Sequence, residues 1–171
     1  MSYLKGLVID KYKSVDLGID DTTISNSGYL SDLSLDSINK AITNLNYIIT
    51  QTTGVITWGV DRFMVDSDPE GSLCKDENDI ELADVPNSVM INLLLEIKNF
   101  KTQYQNTTNL KNIVGQAFTI IKSNPNAYKR FPNSDFHFAT TINDVYITLI
   151  LEQNDLNLTE SLYINQLNTN F

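Results

Sequence analysis

The chain has 171 residues, of which 42% are hydrophobic and 19% charged, and its formal net charge is −9. This length fits one domain of ordinary size, and the apolar content excludes global intrinsic disorder. With only 7 Gly and 4 Pro, the chain is not collagen-like. The acidic balance argues against a sequence-specific nucleic-acid binder, which needs an excess of Lys and Arg to neutralise phosphates.

The chain has one cysteine, Cys74, and one histidine, His137. These counts exclude an internal disulfide, a Cys-rich zinc site and a histidine cluster within one chain. Cys74 stands in an acidic stretch, which raises the pKa of a thiol and disfavours nucleophilic use. We expect His137 to be a surface or half-buried strand residue pointing opposite to Phe136 and Phe138, because no nucleophile or orienting partner is adjacent. The sequence therefore predicts no enzyme activity and no catalytic, cofactor-binding or metal-ligating residue.

The N-terminus lacks the features of a signal peptide, since Lys5, Asp10 and Lys11 interrupt any apolar run there. The longest apolar stretches, at 90–95 and 145–151, are too short to span a bilayer. We therefore expect no membrane partner and a protein that stays in a cytoplasm or is assembled into a particle there.

The first 34 residues give mixed signals. Residues 7–9 are compatible with a short strand, whereas 16–34 are rich in Asp, Ser, Thr and Gly and predict a loop. We therefore divide the chain into an N-terminal arm and loop at 1–34 and a single α+β domain at 35–171.

Apolar residues at helical spacing predict three main helices. The first spans 35–53, with Ser34 as N-cap and Gly54 as its stop. The second covers 89–104, with Asp84 as cap and Pro86 in its first turn. The third runs from a cap at Asn109 to Asn124-Pro125. The stripe residues are Leu35, Ile38, Ile42, Leu45 and Ile49 in the first helix, Val89, Met90, Leu93, Leu94, Ile97, Phe100 and Tyr104 in the second, and Leu110, Ile113, Val114, Ala117, Phe118 and Ile121 in the third.

The remaining segments predict strands and loops. Residues 55–65 are β-branched and aromatic around Gly59, which is typical of a strand or tight hairpin, and 66–84 read as an acidic loop. Near the C-terminus, apolar residues alternate over 136–142 and 145–151 around the turn Asn143-Asp144, which predicts a β-hairpin. A helix is the competing interpretation of 144–153, and a short helix is predicted at 159–167. The fold class is therefore α+β, dominated by helices.

Charge is segregated along the chain. Residues 1–96 carry 6 basic and 16 acidic residues, residues 97–134 carry 6 basic and no acidic ones, and residues 135–171 carry 5 acidic and no basic ones. The segment charges are therefore −10, +6 and −5. The basic block at 97–134 is compatible with a solvated face balanced by nearby acid, with a contact to an acidic surface of a second copy, or with phosphate contact.

The segment 66–77 matches the spacing of an EF-hand calcium loop. Asp66, Asp68, Glu70 and Glu77 occupy the ligand positions, and Gly71 occupies the turn position. Against calcium, a strand-like segment precedes the loop, and acidic residues are so frequent nearby that a chance match is easy. A solvated acidic loop is the competing interpretation.

The order of these features resembles that of head–tail connector (adaptor) proteins of tailed bacteriophages. An acidic stretch at 19–21 leads into a helix that ends before Gly54, and Asp84-Val85-Pro86 opens an apolar second helix. The resemblance covers 17–105 at most, and this chain adds an inserted acidic loop and its own C-terminal third. It implies a non-enzymatic virion subunit that forms a ring beneath the portal, contacts portal or tail subunits and lets DNA pass.

Two other hypotheses are compatible with the sequence. A small acidic protein of the inhibitor or immunity type would block a basic surface of one partner. An enzyme would use carboxylates with a divalent metal at Asp66–Glu77. The segregated charge favours self-assembly as the first hypothesis to test.

Overall fold

A computed structural model describes residues 4–20, 22–131 and 136–169. In chain order the elements are strands β1 (Leu4–Ile9) and β2 (Val15–Ile19), a 3₁₀ helix (Ser27–Asp32), helix α1 (Leu35–Ile48), strands β3 (Ile56–Val60), β4 (Phe63–Ser67), β5 (Ser72–Lys75) and β6 (Glu81–Val85), helices α2 (Asn87–Tyr104), α3 (Thr107–Ser123) and α4 (Pro125–Tyr128), strands β7 (His137–Ile142) and β8 (Val145–Ile150), a second 3₁₀ helix (Gln153–Asn157) and helix α5 (Glu160–Asn165). Helix accounts for 43% and strand for 28%, which confirms the helix-dominated α+β class, with three main helices and a C-terminal hairpin.

The chain divides into two compact units. The first is built from Ile19–Gln103 with the N-terminal Met1–Leu4, and the second from Lys5–Gly18 and Tyr104–Asn170. The boundary predicted at residue 34 falls inside the first unit. The second unit therefore combines residues from near both ends of the sequence.

The first unit contains a four-stranded antiparallel sheet in the order β3-β4-β5-β6. Trp58, Val65 and Cys74 lie side by side in the register, and all three are buried. The adjacent row, on the opposite face, contains Asp66 opposite Leu73. The hairpin predicted at 55–65 is confirmed, because β3 pairs with β4 across that segment.

The prediction of an acidic loop at 66–84 is wrong, because β5 and β6 lie within it. The buried face of β5 is formed by Ser72 and Cys74 rather than by large apolar residues, so the alternation typical of strands was not visible. Asp84 is also not the cap of α2, since it lies within β6 opposite Leu73. Of the acidic residues in 66–84, Asp66, Glu81 and Asp84 lie in strands, Asp68 and Glu70 lie in the β4–β5 turn, and Asp76, Glu77 and Asp79 lie in the β5–β6 connection.

A buried chain of hydrogen bonds ties the sheet to the start of α2. The Trp58 Nε1–H donates to Ser67 Oγ at 3.0 Å, Ser67 and Ser72 share a hydrogen bond of 2.7 Å, and Ser72 Oγ donates to Asn87 Oδ1 at 2.6 Å. Asn87 Nδ2 in turn donates to the Asp68 carbonyl at 2.8 Å. Each polar side chain of this network thereby has a partner, which offsets the desolvation cost of placing it in the core.

Helix α1 starts where the sequence predicted and ends earlier. Ser34 accepts a hydrogen bond from the Ser37 N–H and caps the N-terminus, as predicted. The helix ends at Ile48 rather than at Thr53, and the Thr50 hydroxyl donates to the Tyr47 carbonyl just beyond it. Such side-chain bonds to the backbone compete with helix continuation. Of the predicted stripe, Ile38 and Leu45 are buried, together with Ala41 and Ile48, whereas Leu35 and Ile42 are half-buried and Ile49 is 44% exposed.

The second unit is organised around a sheet in the order β2-β1-β8-β7. β7 and β8 form the antiparallel hairpin that the alternation predicted, and Asn143 and Asp144 in its turn both have positive φ, which is typical of a two-residue type I′ turn. The competing helix at 144–153 is therefore wrong over β8. β1 pairs with β8 in parallel, with Leu7 opposite Ile147.

The prediction of an arm and loop at 1–34 is wrong for β1, β2 and the first 3₁₀ helix. The suggestion of a short strand at 7–9 is confirmed, because these residues lie in β1. Leu7 and Ile9 are buried, as are Val15 and Leu17 in β2. β2 and the first half of β1 were not predicted. β1 pairs with residues at the opposite end of the sequence, and local composition does not report such pairing.

Helices α3 and α5 pack together in the second unit. Phe118 and Tyr163 stack with ring centroids 4.3 Å apart. A Cβ at Gly115 would lie 2.7 Å from Glu160 Oε1, so the glycine accommodates a side chain of α5. Asn106, not Asn109, caps α3, because its side chain accepts from the Thr108 N–H. The short final helix is confirmed as α5, and Thr159 caps it by accepting a hydrogen bond from the Leu162 N–H.

Within the described ranges, none of the helices combines the length and apolar character that crossing a bilayer requires.

We predict that Lys101 is a pH-dependent element of the first unit. Its side chain is only 1% exposed, and Nζ donates to the Leu33 carbonyl at 2.6 Å. Burial lowers the pKa of Lys101 below its usual value of 10.5, although the Asp32 charge opposes the shift. The unfolded chain therefore binds more protons than the folded one between the two pKa values, and stability contributed through this group rises with pH across that window.

The test compares urea unfolding of the wild type, Lys101→Met and Lys101→Ala. We expect losses of about 1 kcal/mol for Met, which keeps most of the volume, and about 3 kcal/mol for Ala. The wild type should gain stability relative to Lys101→Met as the pH rises from 7 towards 10.5. A difference that is constant with pH would show that the Lys101 pKa is not lowered by folding.

Candidate functional site

The net charge of the protein is concentrated in one unit. By sequence, the first unit carries 5 basic and 14 acidic residues, a net charge of −9, whereas the second carries 7 of each and is neutral. Four residues of the basic block, Lys111, Lys122, Lys129 and Arg130, therefore share the second unit with the acidic C-terminal segment and with lysines from β1 and the following turn. Basic and acidic residues therefore balance in the second unit, whereas the first unit keeps an excess of negative charge.

The basic block is divided between the two units. Lys98 and Lys101 belong to the first unit, and Lys101 is buried. In the second unit, Lys122 Nζ donates to the Leu158 carbonyl at 2.6 Å, so it is engaged in local structure. Lys111, Lys129 and Arg130 complete the block, whose residues 132–134 lie outside the described ranges.

An acidic cleft lies on the outer side of the first unit's sheet. Its volume is about 500 Å³. Carboxylates and apolar side chains both line the cleft, so the cleft offers negative charge and apolar surface. The lining residues of this acidic cleft are Asp66, Asp68, Glu70, Gly71, Leu73, Asp84, Val85 and Pro86.

Two of the cleft carboxylates have structural partners. Asp66 accepts hydrogen bonds from Thr57 Oγ1 at 2.6 Å and from Lys75 Nζ at 2.9 Å. These bonds, that from Thr57 first, lower the pKa of Asp66. Asp68 Oδ1 accepts from the N–H groups of Glu70 and Gly71 and so stabilises the turn between β4 and β5. Glu70 and Asp84 are exposed, and we take them as the carboxylates best placed for an outside partner.

The EF-hand interpretation of 66–77 is wrong in its geometry. The segment is the end of β4, a tight turn and β5, with Asp66 opposite Leu73 in the ladder. Glu77, at the last ligand position, lies beyond β5, with a carboxylate oxygen 3.8 Å from Arg62 Nε. In the part of the chain that the structure describes, no group of three or more Asp, Glu, His and Cys side chains is arranged to hold a metal ion.

An exposed aromatic–arginine patch lies in the second unit, and we define it as Arg130, Phe131, His137 and Tyr146. The Arg130 guanidinium lies 5.2 Å from the Phe131 ring centroid and 5.6 Å from that of Tyr146. Arg130 Nη1 donates to Thr148 Oγ1 at 3.3 Å, and the Arg130 N–H donates to the His137 carbonyl at 2.9 Å. The patch is therefore assembled by the segment that runs beside β7 together with β8.

The residues considered for catalysis have structural surroundings. His137 is half-buried and meets the edge of Phe131, with ring centroids 5.4 Å apart, as expected for a strand residue. Phe138 is buried on the other face, whereas Phe136 precedes the strand and is 45% exposed. Burial, with a smaller effect of the Asp84 charge, raises the pKa of Cys74 to about 12, which keeps the thiol protonated at neutral pH.

The sequence pointed to the acidic residues and to the basic block, but not to how they are grouped. Asp84 meets the β4–β5 turn only because β6 pairs with β5. Likewise, Tyr146 meets Arg130 because β8 pairs with β7. Phe131, next to Arg130 in the basic block, was the signal that the sequence offered for the patch.

Comparison of the chain with protein-family models, curated proteins and solved structures gives no match in any of the three.

We predict that millimolar Ca²⁺ leaves the melting temperature unchanged, because Asp66 and Asp68 are engaged in the hairpin and Glu77 lies beyond it. Thermal unfolding with Ca²⁺, and with Mg²⁺ as a control for ionic strength, checks this expectation. A ligand that binds only the folded state raises the melting temperature. A rise specific to Ca²⁺ that is lost in Glu77→Gln would revive the calcium hypothesis.

Proposed function

We propose that this protein is a non-enzymatic structural subunit of a tailed-phage virion, which forms a ring with other copies of itself at the head–tail junction. In this proposal the ring assembles in the host cytoplasm, contacts portal or tail subunits and surrounds the path of the DNA. The observation that carries the proposal is the partition of charge into a unit of −9 and a neutral unit. It is supported by the resemblance of 17–105 to head–tail connector proteins.

A closed ring needs heterologous contacts, in which each subunit offers two different surfaces. The acidic cleft and the aromatic–arginine patch are two such surfaces, with different charge and different composition, and each lies within one unit. Complementary charge favours the correct pairing and speeds association. The two surfaces thus meet the chemical requirement for head-to-tail assembly.

An acidic unit also suits the passage of DNA. A channel wall with negative charge repels phosphates, so that DNA moves through without adhering. The net charge of −9 in the first unit is of the required sign. In this proposal the protein therefore binds no nucleic acid specifically although it surrounds DNA.

An inhibitor or immunity-type protein is the second candidate function. The observation in its favour is the acidic cleft, since exposed Glu70 and Asp84 beside apolar Leu73 and Pro86 suit a basic, partly apolar surface of another protein. Such a protein acts as a monomer that binds one partner. The two candidates therefore differ in oligomeric state.

Native mass spectrometry of the full chain separates them. We expect a closed ring of many copies at low ionic strength, with dissociation as salt is added, because screening weakens contacts between charged surfaces. Added portal protein serves as the second condition, in case the ring closes only on its partner. A monomer at high concentration in both conditions would contradict the ring and favour the inhibitor.

A further inference from the structure

We infer that the aromatic–arginine patch of one copy docks into the acidic cleft of the next copy. This inference rests on the proposed ring and names the two surfaces that meet in it. The patch lies in the second unit and the cleft in the first, so the contact between copies is heterologous and leaves one of each surface open on every pair.

The patch has the composition of an energetic centre of a protein interface. Phe131 is 46% and Tyr146 37% exposed, and Arg130 is exposed as well. Arg, Tyr and Trp dominate the few residues that supply most of the binding free energy at interfaces. Arg130 is held by Thr148 Oγ1 and by two aromatic rings, so it loses little conformational freedom when a partner binds.

The cleft offers what this patch requires. Exposed Glu70 and Asp84 provide two carboxylates. A carboxylate can bind a guanidinium through two parallel hydrogen bonds. Leu73, Val85 and Pro86 provide apolar surface for an aromatic ring. A volume of about 500 Å³ accommodates side chains of this size.

Charge complementarity selects a second copy as the occupant. The first unit carries −9 in every copy and is present at the same concentration as the patch. A nucleic acid is the competing partner for an arginine beside aromatic rings, because bases stack on such rings. The acidic unit of the same chain would repel its phosphates, which disfavours this alternative.

The first test is sedimentation velocity of single variants at low ionic strength. Arg130→Ala and Arg130→Glu should weaken self-association at least about tenfold, the amount typical of a central interface arginine. The paired change Glu70→Lys with Asp84→Lys should have the same effect. Lys11→Glu, an equal change of charge at an exposed position in the second unit, should leave association unchanged. Circular dichroism melting confirms that each variant is folded.

The second test mixes the Arg130→Ala protein with the protein carrying both lysine changes, because a neutral patch cannot pair with the lysines of the altered cleft. Each has one intact surface, so the pair should form a heterodimer that cannot grow further. Such a capped heterodimer is specific to head-to-tail docking. Its absence when both variants are folded and the wild type assembles would overturn the inference.

The outcomes separate this inference from the proposed function. If the wild type forms rings and Arg130→Ala does so equally well, the docking assignment is wrong while the ring stands. If the wild type remains monomeric at all concentrations, alone and with added portal protein, both fail. Fluorescence anisotropy with labelled single-stranded DNA covers the remaining alternative, since binding that depends on Arg130 without any effect on self-association would assign the patch to nucleic acid.

Discussion

The parallel pairing of β1 with β8 is the constraint on which the rest of the structure depends. It joins residues near the two ends of the sequence, with Leu7, Val8 and Ile9 opposite Ile147, Thr148 and Leu149. The backbones approach so closely that a Cβ at Gly6 would lie 1.7 Å from the Tyr146 carbonyl oxygen. Gly6 also has a φ of +130°, which other residues rarely adopt, so no side chain is accommodated there.

This pairing determines which residues belong to each unit. β1 and the turn that follows it belong to the same unit as the C-terminal segment. Ile19–Gln103, which lie between these two segments in the sequence, therefore form a separate unit. Lys13 then reaches buried Asp155, with Nζ and Oδ1 2.8 Å apart. Basic and acidic segments that are far apart in sequence become neighbours in a neutral unit, and the surplus of acid remains with the other.

Elements held by local sequence were predictable, and those held by distant partners were not. The start of α1 with its cap at Ser34 and the β7–β8 hairpin depend on residues a few positions apart, and both were predicted. The sequence indicated a short strand only at 7–9, because β1 pairs across most of the chain and local composition does not report that partner. The parallel direction of β1 was not predicted either, because parallel strands are joined by a long connection and no local turn signals the pairing.

The candidate surfaces follow the same rule. The sequence alone showed that acidic and basic residues are segregated along the chain. Two strands within 66–84 were not predicted. The outer face of such a sheet is polar, and on the inner face Ser72 stands where an apolar residue would mark a strand. The burial of Lys101 within the basic block was not predicted either. Lys101 lies at helical spacing with the apolar stripe of α2, but its burial depends on a tertiary partner, the Leu33 carbonyl.

Zero-length crosslinking tests most directly whether a unit of one copy meets the other unit of the next. A carbodiimide joins a lysine amine to a carboxylate in contact with it, and Lys129 is the amine adjacent to Arg130. In an equal mixture of ¹⁴N- and ¹⁵N-labelled protein, head-to-tail docking predicts mixed-isotope links from Lys129 to Glu70 or Asp84 that disappear at high salt. Links from Lys129 that occur only within one isotope, while the acidic cleft joins other lysines or none, would contradict the docking of the patch into the cleft.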